Sequence, residues 1–164
     1  MRERGFSLVE MIIVLVLIGL SVSLVTPSLS RLSKTIELKG AAQKISGILR
    51  YCRGEAVHKG QVYQIFFDSD LREVRVQRME SIEVKEESEK REEKAFKKTY
   101  PLPSGINMRE MKISSPQYPS ELPTIEFYPN GGSNGGSILL KSEDRGGYRI
   151  KVHFLTGMVE IKKV

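Results

Sequence analysis

Residues 4–20 read RGFSLVEMIIVLVLIGL, and the apolar run that opens at Phe6 extends to Val25 with Glu10 as its sole ionisable group. About twenty such residues wound into an α-helix cross a hydrocarbon layer of about 30 Å. A carboxylate near the centre of such a span costs about 2.5–3.5 kcal/mol, and less toward its end. Glu10 therefore needs a reason to be there.

Three readings compete. In the first, the segment is a secretory signal: MRERG is the basic region, MIIVLVLIGL the apolar region, and SVS ending at Ser23 a small-x-small cleavage site. Cleavage there would free a soluble periplasmic binding domain. Against it, Glu10 abuts the apolar core, and apolar character resumes past the cut at Leu24 and Val25. In the second, the run is a plain uncleaved anchor, which leaves Glu10 unexplained.

The third reading uses the glutamate. A short charged leader ending in Gly5, then Phe6, Ser7, Leu8, Val9 and Glu10, then an apolar helix with Pro27 near its outer end, resembles the type IV pilin and pseudopilin class. The resemblance implies that a prepilin peptidase cuts after Gly5 and methylates the new amine on Phe6. It also implies that Glu10 meets the Phe6 amine of a neighbouring subunit and so sets the axial stagger of a filament. The physics agrees, because a buried cation is costly alone and tolerable when paired. A helix N-terminus also favours an anion through its dipole, and both roles can hold together. Arg2 and Arg4 on one flank face Arg31, Lys34 and Lys39 on the other, so flanking charge does not orient the segment. The resemblance, not the charge count, implies a single pass of the bacterial inner membrane with the C-terminal domain in the periplasm.

Beyond the membrane segment the helix is expected to continue. Leu38, Ala41, Ala42, Ile45, Leu49, Cys52 and Ala56 recur on one face at helical spacing, and Gly60 supplies a stop. Run from Phe6 to about His58, such a helix would be about 80 Å long at 1.5 Å per residue. Pro27 lacks an N–H and is expected to kink or loosen it. Small residues at Gly19, Thr26, Ser33, Gly40, Gly47 and Gly54 recur every seven positions. The Gly40, Gly47 and Gly54 line lies about 150° from the apolar stripe at 100° per residue, open to a neighbouring helix. Mere tolerance of glycine is the plainer alternative.

After Gly60 the period turns β-like. QVYQIFF and LREVRVQRM, joined by DSD, read as a hairpin; INMREMKI, TIEFYP, GSILLK, YRIKVHFL and GMVEIKK follow, bounded by Gly, Pro, Asn or Ser. Asp68 and Asp70 could be drawn as calcium ligands, but two carboxylates without a glycine-centred loop read as a turn. The Glu83–Lys98 run is nearly all Glu, Lys and Arg. It is read as a solvated hairpin extension, an exposed helical turn or a mobile loop, with a docking loop for a partner as the sharper alternative. FYPNGGSNGG lacks the GK[ST] ending of a phosphate loop, and no helical pattern follows it, so it is a turn between strands.

The expected fold is α+β: a long N-terminal helix, transmembrane in its first half, packed on an antiparallel β-sheet domain. The expected segments are a leader over 1–5, a transmembrane and assembly helix over 6–28, its amphipathic extramembrane part over 29–59, and a sheet domain over 60–164 with a charged loop or hairpin extension over 79–99. The 164 residues, 40% hydrophobic and 28% charged, leave about 135 residues beyond the membrane segment for a single core. Net charge is +6, but acids stand among the bases, a weak footprint for nucleic acid. Cys52 is the single cysteine and falls in the apolar stripe, so it reads as a buried core residue. His58 and His153 carry no ligand spacing, and the serines, including Ser142 in SED, lack a partner base. No metal, cofactor or catalytic constellation is expected.

Three further stretches narrow the resemblance: LKGAAQKISGILRYCRGEAVHKGQVYQIFFD, with its R-x-E-A segment, FYPNGGSNGGSILLK, with its F-x-P-x-G turn, and YRIKVHFLTGMVEI, with its T-G before the last strand. Together they look like the GspH/FimT-type domain. The resemblance implies a minor pseudopilin of a type II secretion system, near the tip of a periplasmic filament that drives folded proteins through the outer membrane. Its implied partners are the prepilin peptidase, the major and other minor pseudopilins, and inner-membrane lipid, with no small-molecule substrate and no nucleic acid. The alternative is a FimT-like minor pilin of a type IV pilus, priming assembly or binding DNA during uptake. For DNA, Arg145, Arg149, Lys151, Lys162 and Lys163 stand close in sequence to Glu143, Asp144 and Glu160, a thin basis.

Overall fold

The computed structural model describes residues 7–79, 97–142 and 146–164, without the side chains of 22–33. Gly5, Phe6 and most of the charged run therefore lie outside the described residues. One helix, α1 (Leu8–Lys59), is followed by eight strands: β1 (Val62–Asp68), β2 (Glu73–Met79), β3 (Lys97–Pro101), β4 (Ile106–Ile113), β5 (Thr124–Phe127), β6 (Gly136–Ser142), β7 (Gly147–Val152) and β8 (Val159–Lys163). The chain divides into two compact units, residues 1–36 and 37–164.

The first unit holds the start of α1. Ser7 Oγ accepts the Val9 N–H at 3.3 Å, and the Ser7 carbonyl accepts the Met11 N–H at 3.3 Å, so Ser7 is the N-cap. Helical assignment continues through Pro27.

In the second unit the predicted apolar stripe is buried in full: Leu38, Ala41, Ala42, Ile45, Leu49, Cys52 and Ala56 all face the core, joined by Ile48. The helix stops where the sequence provides for it. Gly60 adopts φ 65°, and the Gln61 N–H donates to the Ala56 carbonyl at 3.2 Å, a Schellman closure that a Cβ at Gly60 would strain.

The strands form two antiparallel sheets, ordered β3-β2-β1-β5 and β4-β6-β7-β8. Alternation sends Tyr63, Ile65 and Phe67 of β1, Val74 and Val76 of β2, Ile125 and Phe127 of β5, Ile106 and Met108 of β4, Ile138 and Leu140 of β6, and Ile150 and Val152 of β7 into one core cluster with the helix stripe. The two sheets and the helix thus share a single core.

β2 and β3 bound the segment expected as a charged loop or hairpin extension over 79–99, and take in its end residues. Met79 ends β2, and Lys97–Pro101 pairs with β2 in the register Gln77↔Lys97 to Glu73↔Pro101. Its half-buried Tyr100 is the reason: the ring packs against the core, with Lys44 Nζ 5.8 Å and Lys98 Nζ 5.3 Å from its centroid. Residues 80–96, outside the described residues, join two antiparallel neighbours.

Candidate assembly surface

Along residues 8–20 of α1 every large apolar side chain is exposed, from Val14 at 43% to Leu8 at 76%. A helical segment exposed and apolar all round presents a surface chemically suited to lipid or to other helices. Glu10 stands exposed in the first turn of that segment. Ser7 and Glu10 have the S-x-x-E spacing of a capping box, a local signal for the helix start that the apolar pattern alone does not carry. Among the described residues no helix is long and apolar enough to cross a membrane; the run from Phe6 to Val25 in the sequence extends into residues whose side chains are not described.

Gly40, Gly47 and Gly54 are exposed on the face of α1 away from the core, and a Cβ built on any of them meets no atom within 4 Å. Nothing within the second unit requires glycine there. Gly19, in the first unit, likewise has open space around its Cβ position. Tyr51, 52% exposed, lies four residues after Gly47 and three before Gly54, an aromatic on the same side of the helix.

At the C-terminal end of α1, three separate sequence segments converge. Arg53, from the R-x-E-A segment, donates from Nε to the Gly131 carbonyl at 3.2 Å. Gly131 belongs to the F-x-P-x-G turn, which closes through Gly131 N–H to the Tyr128 carbonyl and Tyr128 N–H to the Gly132 carbonyl. Gly157, of the T-G segment, has φ 60°, and a Cβ there would lie 2.5 Å from that same Gly131 carbonyl. The absence of a side chain at Gly157 thus lets its loop pack against the same Gly131 carbonyl that Arg53 engages, so the glycine-rich stretch is a packing device. Arg50 extends the attachment by donating to the Val159 carbonyl at 3.2 Å. Val57, Phe154, Leu155 and Met158 stand exposed at this end of the domain.

The remaining chemistry-bearing residues are structural. Asp68 accepts the Asp70 and Leu71 amides at 3.1 and 2.9 Å through Oδ1, while Oδ2 pairs with Arg75 at 2.6 Å. These bonds, led by the Leu71 amide, hold its carboxyl below the usual range. Cys52 is buried, and burial, with a smaller contribution from Glu55, pushes its thiol up to about 12. His153 pairs with Glu160 at 3.0 Å. Among the described residues no three His, Cys, Asp or Glu side chains gather as metal ligands. Sequence reasoning passed over Glu126, wholly buried in β5, where it gathers four hydrogen bonds.

Comparison with known proteins bears on both parts of the chain. The prokaryotic N-terminal methylation motif matches residues 1–26, and the family described as type II transport protein GspH matches residues 41–156. Type II secretion system protein H of Xanthomonas campestris pv. campestris is 28% identical over 156 residues, covering 95% of this chain and 81% of that protein. Among solved structures, the minor pseudopilin EpsH from the type 2 secretion system of Vibrio cholerae superposes with a TM-score of 0.57 at 15% identity, covering 77% of this chain and 97% of EpsH. The type IV minor pilin FimU of Pseudomonas aeruginosa gives 0.56 at 15% identity, covering 79% of this chain and 90% of FimU. At such identities the two structures speak for the shared fold.

Proposed function

This chain belongs to the type II transport protein GspH family, and from that premise we infer its work: it is a minor pseudopilin of a type II secretion system, a subunit that acts by assembling. We propose that the prepilin peptidase cuts after Gly5 and methylates Phe6, that the run from Phe6 to Val25 holds the subunit in the inner membrane until assembly, and that Glu10 pairs with the Phe6 amine of its neighbour. The sheet domain then stands in the periplasm near the filament tip, among the major and other minor pseudopilins.

The observation that carries this reading is the fully exposed apolar start of α1 with a single carboxylate in its first turn, on a chain whose other part has its own closed core. The likeness to FimU supports a second reading, a minor pilin of a type IV pilus, which shares the same anchor and assembly chemistry.

Intact mass and N-terminal sequencing of the protein recovered from host membranes test the processing. The expected chain starts at N-methylated Phe6. A chain starting after Ser23, or at an unprocessed Met1, would remove the role of Glu10 and overturn the assembly mechanism.

A further inference from the structure

The outer face of the β4-β6-β7-β8 sheet carries a concavity of about 480 Å³ lined by Asn107, Arg109, Glu110, Leu139, Lys141 and Ser142. Its chemistry follows from a fault in β4. The register with β6 shifts between Arg109 and Lys112, and within that bulge Glu110 adopts φ 44°, a left-handed conformation that glutamate seldom takes. Strain of this kind persists only where surrounding structure enforces it, and it gathers at functional sites. Here the bulge turns Glu110 onto the sheet face, where its Oε2 meets Arg149 Nη2 at 2.9 Å.

That pairing leaves an imbalance. Among the described residues the face's other acid, Glu160, is hydrogen-bonded to His153, whereas Arg109 and Lys141 are exposed and have no ion pair. Between them Leu139, only 7% exposed, forms an apolar floor. Asn107 and Lys141 are directly opposite across β4 and β6, as are Arg109 and Leu139, so cations, amide and floor are fixed by strand register.

We propose that this concavity is a docking site for an acidic segment of a protein partner, a short stretch that offers glutamate or aspartate carboxylates beside an apolar side chain. The carboxylates would engage Arg109 and Lys141, and the apolar group would rest on Leu139. A nucleic acid fits less well, because no aromatic ring lines the concavity for base stacking. The proposal concerns the sheet domain and holds whichever filament the chain joins.

The test uses the full chain in neutral-detergent micelles and, as probe, a fluorescein-labelled peptide of alternating glutamate and leucine, read by anisotropy. Saturable binding is expected, weakening between about 50 and about 200 mM salt as screening sets in. R109Q/K141Q should weaken it at least about tenfold, and E110Q, which removes the repelling rim charge, should strengthen it about two- to fivefold. K97Q/K98Q, on the other sheet, should leave it unchanged. All these side chains are at the surface, and an unaltered Tm for each variant confirms that the fold is intact. Equal binding of a glutamine and leucine peptide, indifference to R109Q/K141Q or to E110Q, or an equal loss in K97Q/K98Q would overturn the proposal. So would tighter binding, dependent on the same two cations, to a duplex DNA oligonucleotide or to phosphatidylglycerol vesicles.

Discussion

Glu126 and Gln64 face each other directly across the β1–β5 pair, on the side of their sheet away from the shared core, with Gln64 Nε2 donating to Glu126 Oε1 at 2.9 Å. Glu126 is 0% exposed and has no cation beside it among the described residues. Its carboxylate instead accepts the Gln117 amide at 2.6 Å, the Tyr118 amide at 3.1 Å and the Tyr128 hydroxyl at 3.0 Å. Burial and that bond to Glu126 push the Tyr128 phenol up to about 12. An acceptor-only group surrounded by donors therefore fastens the segment between β4 and β5 over the sheet.

Glu126→Gln keeps the shape but turns one acceptor oxygen into a donor, leaving buried amides facing an amide. A loss of about 2–4 kcal/mol of stability is expected, from broken charge-assisted bonds and stranded donors. Urea denaturation measures it, and hydrogen exchange at Gln117 and Tyr118 should accelerate locally. A change below about 1 kcal/mol would show that the carboxylate is not the fastener.

Asp68 supplies a pH dependence of defined sign. Its carboxyl is held below the ordinary value by the Leu71 amide, Arg75 and the Asp70 amide, so the ionised form is favoured in the folded state. The stability it adds is present above the unfolded carboxyl's pKa and disappears as pH falls through the lower folded value. Acid should therefore loosen the β1–β2 turn first, and Asp68→Asn should blunt that loss while lowering stability at neutral pH. NMR titration of the Asp68 carboxyl checks the direction: an ordinary or raised value contradicts the assignment.

The parts of this architecture that repeat locally were legible in the sequence. The stripe from Leu38 to Ala56 has the helical period, Gly60 sits where a left-handed residue is needed, and seven of the strands alternate between turn residues. What eluded the sequence depends on distant partners. β3 reads KKTYP at the end of a charged run, and only Tyr100 on the core, with Lys44 from the helix, makes it a strand. Glu126 in TIEF has the pattern of a solvent-facing position, because nothing nearby in sequence announces that residues 114–123 will cover it. The division into two sheets follows from strand order, which no short window encodes. Arg109 and Lys141 are separated by thirty-two positions (141 − 109) and become neighbours only through the β4–β6 register.

Gly47 offers a test in which folding and assembly are expected to part. In an exposed helix interior glycine is about 1 kcal/mol worse than alanine, and leucine is close to alanine, so Gly47→Leu should stabilise the isolated subunit by about 0.5–1 kcal/mol. The space permits it, since a Cβ there meets nothing within 4 Å. If the glycine line admits a neighbouring helix at close range, the same leucine obstructs that approach. The expected result is thus a raised Tm for the purified chain together with reduced secretion and reduced subunit cross-linking in cells. Unchanged assembly in a folded Gly47→Leu protein would make the glycines a tolerated cost, and the packing role would pass to other faces of the helix.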